Sequence, residues 1–195
     1  ITQMINHGLS TGALFLIVGM LYERRHTRMI ADFGGLTKQI PVFATFFMIV
    51  TLSSIGLPGL NGFVGEFLIL VGTFKSRILY ASLATSGIIL AAVYMLWMFQ
   101  RVMFHEITHE ENKTLKDMNK REWAILLPIV LMIFWIGIYP NSFLRKMDAS
   151  VNHLLKQVGE KANIVSNVQA QNKLKQLQKN VTPKIDIVPE NKTEW

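Results

Sequence analysis

Long apolar runs separated by short charged ones set the plan of this chain. The first run, about residues 4–22, is stopped by Glu23-Arg24-Arg25 and predicts a membrane-spanning helix. A second apolar stretch covers residues 40–74. As one straight helix it would be about 50 Å long at ~1.5 Å per residue, against a hydrocarbon core only ~30 Å thick. The third run is 79–99. The fourth, 123–139, has aromatic residues at both ends, where a bilayer presents its interfaces, and Pro128 near its start predicts a bend. Asn141 is then placed to cap a new segment. In it Phe143, Leu144, Met147, Val151, Leu154, Leu155 and Val158 recur at helical spacing between Arg145, Lys146, Asn152, His153 and Lys156. That pattern predicts an amphipathic helix lying in the interface or on a partner. Residues 159–195, rich in Lys, Asn and Gln and carrying Pro183 and Pro189, predict a flexible polar tail with a weak helix near 164–181.

The second stretch is broken in its middle. Gly56-Leu57-Pro58-Gly59 interrupts the apolar run of residues 51–70, and Asn61 and Gly62 follow. Pro58 has no amide proton, so the carbonyl of Ser54 loses its helical partner, and the glycines weaken the helix further. Polar backbone freed at membrane depth is tolerated only where it is buried in protein or lines a wet cavity. Two arrangements fit the length: one discontinuous span, or a tight hairpin turning at 57–62. The absence of any charge in that turn favours the discontinuous span. The expected fold is therefore all-α, with four transmembrane helices, one of them discontinuous, over residues 1–140. An amphipathic helix over 141–160 and the tail over 161–195 complete it.

Glu66 is the only carboxylate between Lys38 and Lys75. An ionisable residue at membrane depth is costly and marks an ion or proton pathway by default. Gly62 lies four residues before it on the same face, leaving space, and the start of the second half-helix favours a carboxylate. The alternative is a buried structural glutamate with a cationic partner. On the first span His7, Ser10 and Thr11 share one face. They suit either a helix–helix hydrogen bond or a polar lining, which Ser54 and Asn61 would extend from the second stretch.

Composition supports the membrane reading. The chain has 195 residues, half of them hydrophobic, and 17% charged, below the ~25% of soluble domains. Cysteine is absent, which excludes disulfides and thiolate metal sites. The net charge of +7 flanks apolar runs rather than forming a nucleic-acid patch. Segments 23–39 and 100–122 carry nine Lys and Arg, against five close to the spans on the other side (Lys75, Arg77, Arg145, Lys146 and Lys156), so the positive-inside rule puts both segments in the cytoplasm and the C-terminus outside. Ile1 already stands at an apolar run, with no initiator Met and no signal-peptide layout, so the chain is expected to be the C-terminal piece of a longer protein.

One motif points elsewhere. His105-Glu106-Ile107-Thr108-His109 matches H-E-x-x-H, which on a helix sets two imidazoles on one face for zinc. Here it stands at the end of a span, followed by Glu110, Glu111, Asn112 and Lys113, with no third ligand in view. The expectation is a juxtamembrane charge cluster and no metal; a membrane zinc protease is the enzyme alternative. Neither of the glycine-rich phosphate-binding motifs occurs.

Three motifs in order, NHGLSTGALFLIVGMLYERRHTR, then GGL, then LPGLNGFVGEFLILVGTF, resemble the C-terminal part of the M-type (mitochondrial chain 4) antiporter-like subunits of NADH:quinone oxidoreductase, respiratory complex I. The resemblance covers roughly residues 3–160. It implies a channel-like subunit of two inverted repeats, each with a broken helix, of which this chain holds the second. Related L-type, N-type and cation/proton antiporter subunits tend to carry Lys where this chain has Glu66, so the resemblance is to the M-type. His7 matches a histidine of the family's proton path, while an upstream Glu and two Lys of that path are not in this chain. The resemblance implies proton translocation coupled to electron transfer, with a Na+/H+ antiporter subunit of the Mrp type as the alternative. It implies no cofactor in this chain, with NADH, FMN, iron–sulfur clusters and quinone in other subunits. The implied partners are neighbouring membrane subunits and the lipid of a bacterial or mitochondrial inner membrane.

Overall fold

A computed structural model describes residues 1–181, and among them there are helices and turns but no strand. The helices are α1 (Thr2–Arg25), α2 (Leu36–Gln39), α3 (Pro41–Ser54), α4 (Asn61–Ser76), α5 (Ile78–Met103), α6 (Lys120–Ile138) and α7 (Asn141–Val181). Single 3-10 turns lie at Ile30–Asp32 and Glu110–Thr114. By length and composition α1, α5 and α6 can each cross a membrane, and α3 is a shorter apolar helix.

The helix ends follow local chemistry. Arg24 and Arg25 occupy the last turn of α1, where cations suit the dipole, and His26 closes it in the left-handed conformation with its N–H on Tyr22 O. Pro41 opens α3 at a position that needs no amide proton. The Asp117 carboxylate accepts the N–H groups of Val42 and Phe43, at 2.9 and 3.0 Å, so a distant loop caps this helix. Asn119 and Glu122 form a reciprocal capping box that starts α6 three residues before the expected Trp123. Pro128 lies inside α6 without ending it.

The chain forms two units, residues 1–146 and 147 onward. Asn141 is the first helical residue of α7 rather than its cap; Pro140 O accepts from Phe143 and Leu144. The helix then runs without interruption to Val181, across the point near 160 where an amphipathic helix was expected to give way to a tail. The expectation of a flexible tail over 182–195 lies outside the described residues.

Inside the first unit, α1 reads off the order of its neighbours. The Arg24 guanidinium stands over the Phe43 ring, 5.8 Å from its centre. Ser10 Oγ is 2.6 Å from Ser53 Oγ, and Asn61 Nδ2 donates to Asn6 O at 3.3 Å. Gly65 backs onto Gln3, where a Cβ would collide. As α1 is followed from 24 back to 3, its partners climb from 43 to 65. α3 and α4 therefore lie end to end along α1, over about 32 Å at ~1.5 Å per residue. A hairpin at 57–62 would return Gly65 toward the level of Phe43. α5 runs back beside them, with the Phe99 ring 5.1 Å from Phe47. The Trp123 ring of α6 stands edge-on to Phe46 at 5.0 Å.

The core of this unit is made by residues such as Ile17, Ile40, Phe43, Val50, Leu126 and Ile133, which are buried. At the Arg24 end the connecting segments pack together: Gly35 N–H donates to Phe104 O at 2.8 Å and Gln39 Nε2 to Leu115 O at 3.2 Å. Most of α5 turns Leu79, Leu83, Leu90 and Val93 outward. An apolar face of that extent belongs against lipid or another helix.

Candidate functional site at the helix break

The break forms where Pro58 forbids a continuous ladder. The last bonds of α3 loosen in register: Ile55 N–H reaches Thr51 O, Gly56 N–H reaches Ser53 O, and Leu57 N–H reaches Leu52 O. Gly56 takes φ +75°, a left-handed conformation that suits glycine. Its missing side chain also matters, because a Cβ there would run into the carboxylate of Glu66. Gly62 allows a second close approach, since a Cβ at that position would overlap the Ser53 carbonyl oxygen.

Beside the break lies a cavity of about 230 Å³, walled by α1, the end of α3, the start of α4 and α5. Six of the residues singled out from sequence line it: His7, Ser10, Thr11, Ser54, Gly62 and Glu66. Gly56, Pro58 and Gly59 shape the break without lining the cavity. Asn61 does not line it either, and is wholly buried. Gln3, Asn6, Ser53 and Tyr94 line it as well. Gln3 was legible in principle, because Gln3, His7 and Ser10 fall on one helical face. Ser53 and Tyr94 carry no such signal.

His7 Nδ1 lies 3.2 Å from the hydroxyl of Thr11, one turn on. The Gln3 amide lies close to the Glu66 carboxyl in the same cavity. Both side-chain amide atoms of Asn6, which is 1% exposed, lack a protein partner, as do Gln3 Oε1 and Ser54 Oγ. Buried polar atoms in native proteins are nearly always satisfied, by ordered water where protein does not serve. The site thus unites a carboxyl and an imidazole, the two side-chain types best suited to proton exchange near neutrality, in a polar cavity at a broken apolar helix.

His105 and His109 are elsewhere. Residues 104–109 are not helical, His105 takes φ +76°, and His109 Nε2 meets Ala31 O at 3.3 Å. The one-face arrangement that H-E-x-x-H requires does not form. Among the described residues no group of three or more His, Asp or Glu could hold a metal ion.

Residues 1–83 match the family model described as NADH:quinone oxidoreductase/Mrp antiporter, TM. The sequence and helices together define an antiporter-like membrane chain. It is 48% identical over 156 residues to NADH-quinone oxidoreductase subunit M of Rhodobacter capsulatus, a match covering 80% of this chain and 30% of that protein. To the subunit M of Rickettsia prowazekii it is 50% identical over 155 residues, covering 80% and 32%. To NADH-ubiquinone oxidoreductase chain 4 of Marchantia polymorpha it is 44% identical over 156 residues, again 80% and 32%. A chain of the respiratory complex I from Thermus thermophilus with bound NADH superposes with a TM-score of 0.69 at 38% identity, covering 73% of this chain and 30% of that one. The chain belongs to the M-type (chain 4) antiporter-like subunits of NADH:quinone oxidoreductase, and spans about 30% of the length of the curated relatives it matches. It is an integral inner-membrane protein of the bacterial or mitochondrial type.

Proposed function

We propose that this chain is part of a proton-translocating membrane subunit of NADH:quinone oxidoreductase, and that Glu66 and His7 exchange protons through the cavity at the helix break. In this reading α3 and α4 make one discontinuous span, so that with α1, α5 and α6 the chain crosses the bilayer four times. The end-to-end placement of α3 and α4 along α1 supports it. The first part of α7 is the amphipathic interfacial helix. Neighbouring membrane subunits of the complex and lipid are the partners, and electron transfer from NADH to quinone takes place on cofactors held by other subunits. Electron transfer there drives the proton steps here.

The observation that carries the proposal is the shared cavity. An ionisable pair at membrane depth is expensive unless it serves a pathway, and a broken helix there needs water or protein around its freed backbone. With Nδ1 of His7 engaged by Thr11, Nε2 is the atom left to exchange a proton. The test is a pair of substitutions in the intact complex. Glu66→Asp keeps a titratable carboxyl and is expected to retain part of NADH-driven proton pumping and quinone reduction. Glu66→Gln keeps the shape and loses the proton, and is expected to abolish pumping in a complex that assembles normally on a native gel. Normal pumping by assembled Glu66→Gln removes Glu66 from the mechanism.

A further inference from the structure

Asn61 is a lining candidate that does not reach the cavity: it is wholly buried and bonded in a closed polar ring with Ser10 and Ser53, which do line it. Ser53 Oγ donates to Asn61 Oδ1 at 2.5 Å. Asn61 Nδ2 donates to Ser10 Oγ at 3.3 Å and to the carbonyl of Asn6 at 3.3 Å. Ser10 Oγ lies 2.6 Å from Ser53 Oγ. Since the Ser53 proton points at Asn61, the Ser10 hydroxyl supplies the proton between the two serines. Each member donates once and accepts once around the ring. All three are buried, at 4, 0 and 0% exposure for Ser10, Ser53 and Asn61. They come from three elements: α1, the last turn of α3 and the first residue of α4.

This ring does not pass protons. An amide nitrogen surrenders its proton only by becoming an imidic acid, and the two hydroxyls spend their single protons inside the ring, leaving none to donate to the cavity. Its position says what it does. It bridges the segment 55–60, where the backbone bonds of residues 55–57 point back into α3 and that of Leu60 stays within the break. Gly62, the next residue, brings α4 against the Ser53 carbonyl. Glu66 follows just over one turn later, its carboxylate held against Gly56. We infer that Asn61 is a positioning residue: with Ser53 and Ser10 it locks the second half-helix to the first and to α1, and so fixes Glu66 in the cavity. The inference rests on the proposed role of the cavity, but its test does not depend on pumping.

The test uses the assembled complex in native membranes, and reads the rate at which a hydrophobic carbodiimide labels Glu66, located by peptide mass, beside NADH-driven proton uptake. Asn61→Ala is expected to change the labelling rate about tenfold, the scale of one withdrawn buried hydrogen bond, with pumping reduced. Ser53→Ala, which deletes the 2.5 Å bond to Asn61 and the 2.6 Å bond to Ser10 and leaves Asn61 in place, serves where Asn61→Ala fails to assemble, and is expected to shift labelling in the same direction. Ser10→Ala combined with Ser53→Ala is expected to do little more than the stronger single change, because both cut one ring. Labelling of Glu66 at the wild-type rate in assembled Asn61→Ala or Ser53→Ala overturns the inference. If Glu66→Gln pumps normally while Asn61→Ala still alters labelling, the clamp stands and the proton-carrier reading of Glu66 falls.

Discussion

Arg24 grips Glu122 with both prongs of its guanidinium: Nη1 lies 2.7 Å from one carboxylate oxygen and Nη2 donates to the other at 2.7 Å. The same guanidinium donates to Met20 O and Lys116 O, and the Glu122 carboxylate also accepts from the Asn119 amide. The pair ties the end of α1 to the start of α6, with side chains 15 and 8% exposed.

Removing one member leaves the other charge poorly solvated. Glu122→Ala is expected to cost on the order of 3–5 kcal/mol of stability, as breaking a buried pair does. Arg24→Lys keeps the charge but loses the fork, and is expected to destabilise as well. The measurement is thermal dissociation of the solubilised complex, followed on a native gel. An unchanged midpoint for Glu122→Ala shows that the pair holds nothing together.

What sequence made legible here was local. Pro58 and its glycines act on their own turn, so the break between Ser54 and Asn61 followed from residue identity alone. Arg24 and Arg25 could be read as a stop because charge leaves the apolar run there. That Arg24 meets Glu122, or that Asp117 caps α3 from 75 residues away, has no mark in either local segment. The same holds for the Ser53 and Tyr94 walls of the cavity, contributed by strands of chain whose own periodicity is simply apolar. Asn61 shows the opposite error: a polar residue in an apolar run reads as lining, and only packing reveals that it is wholly buried behind the serines that do line the cavity.

Sidedness is the next expectation. Gly35 bonds to Phe104 and Gln39 to Leu115, so segments 23–39 and 100–122 share one end of the first unit, and from their Lys and Arg residues that end is expected on the cytoplasmic side. Single cysteines replacing Lys113 and Asn172, both exposed, are expected to react with a membrane-impermeant maleimide from opposite faces. Asn112 is buried and makes a poor probe. Reaction of both from one face excludes four crossings.

The H-E-x-x-H stretch is expected to carry no zinc chemistry. Its residues are not helical, so the two imidazoles lack the shared face that a tetrahedral site uses. The double change His105→Ala/His109→Ala is expected to leave the metal content and NADH-driven activity of the purified complex near wild type. Loss of one zinc per complex together with activity reverses this.

Gly56 offers the sharpest separation of backbone strain from contact with Glu66. Both Gly56 and Gly59 have positive φ, +75° and +92°, and alanine at either costs about 1–2 kcal/mol from the left-handed conformation alone. Their surroundings differ. A Cβ at Gly59 meets nothing within 4 Å, whereas a Cβ at Gly56 runs into the Glu66 carboxylate. Gly59→Ala therefore reports strain, and the excess effect of Gly56→Ala reports displacement of Glu66. Pumping is expected to fall much further in Gly56→Ala than in Gly59→Ala at equal assembly. Shortening the acid should make room for the new methyl group, so Gly56→Ala/Glu66→Asp is expected to pump no worse than Gly56→Ala, although each change alone is harmful. NADH-driven proton uptake in the four membranes decides the matter: equal losses in the two alanine variants, or simple addition in the double one, disconnect Gly56 from the carboxylate.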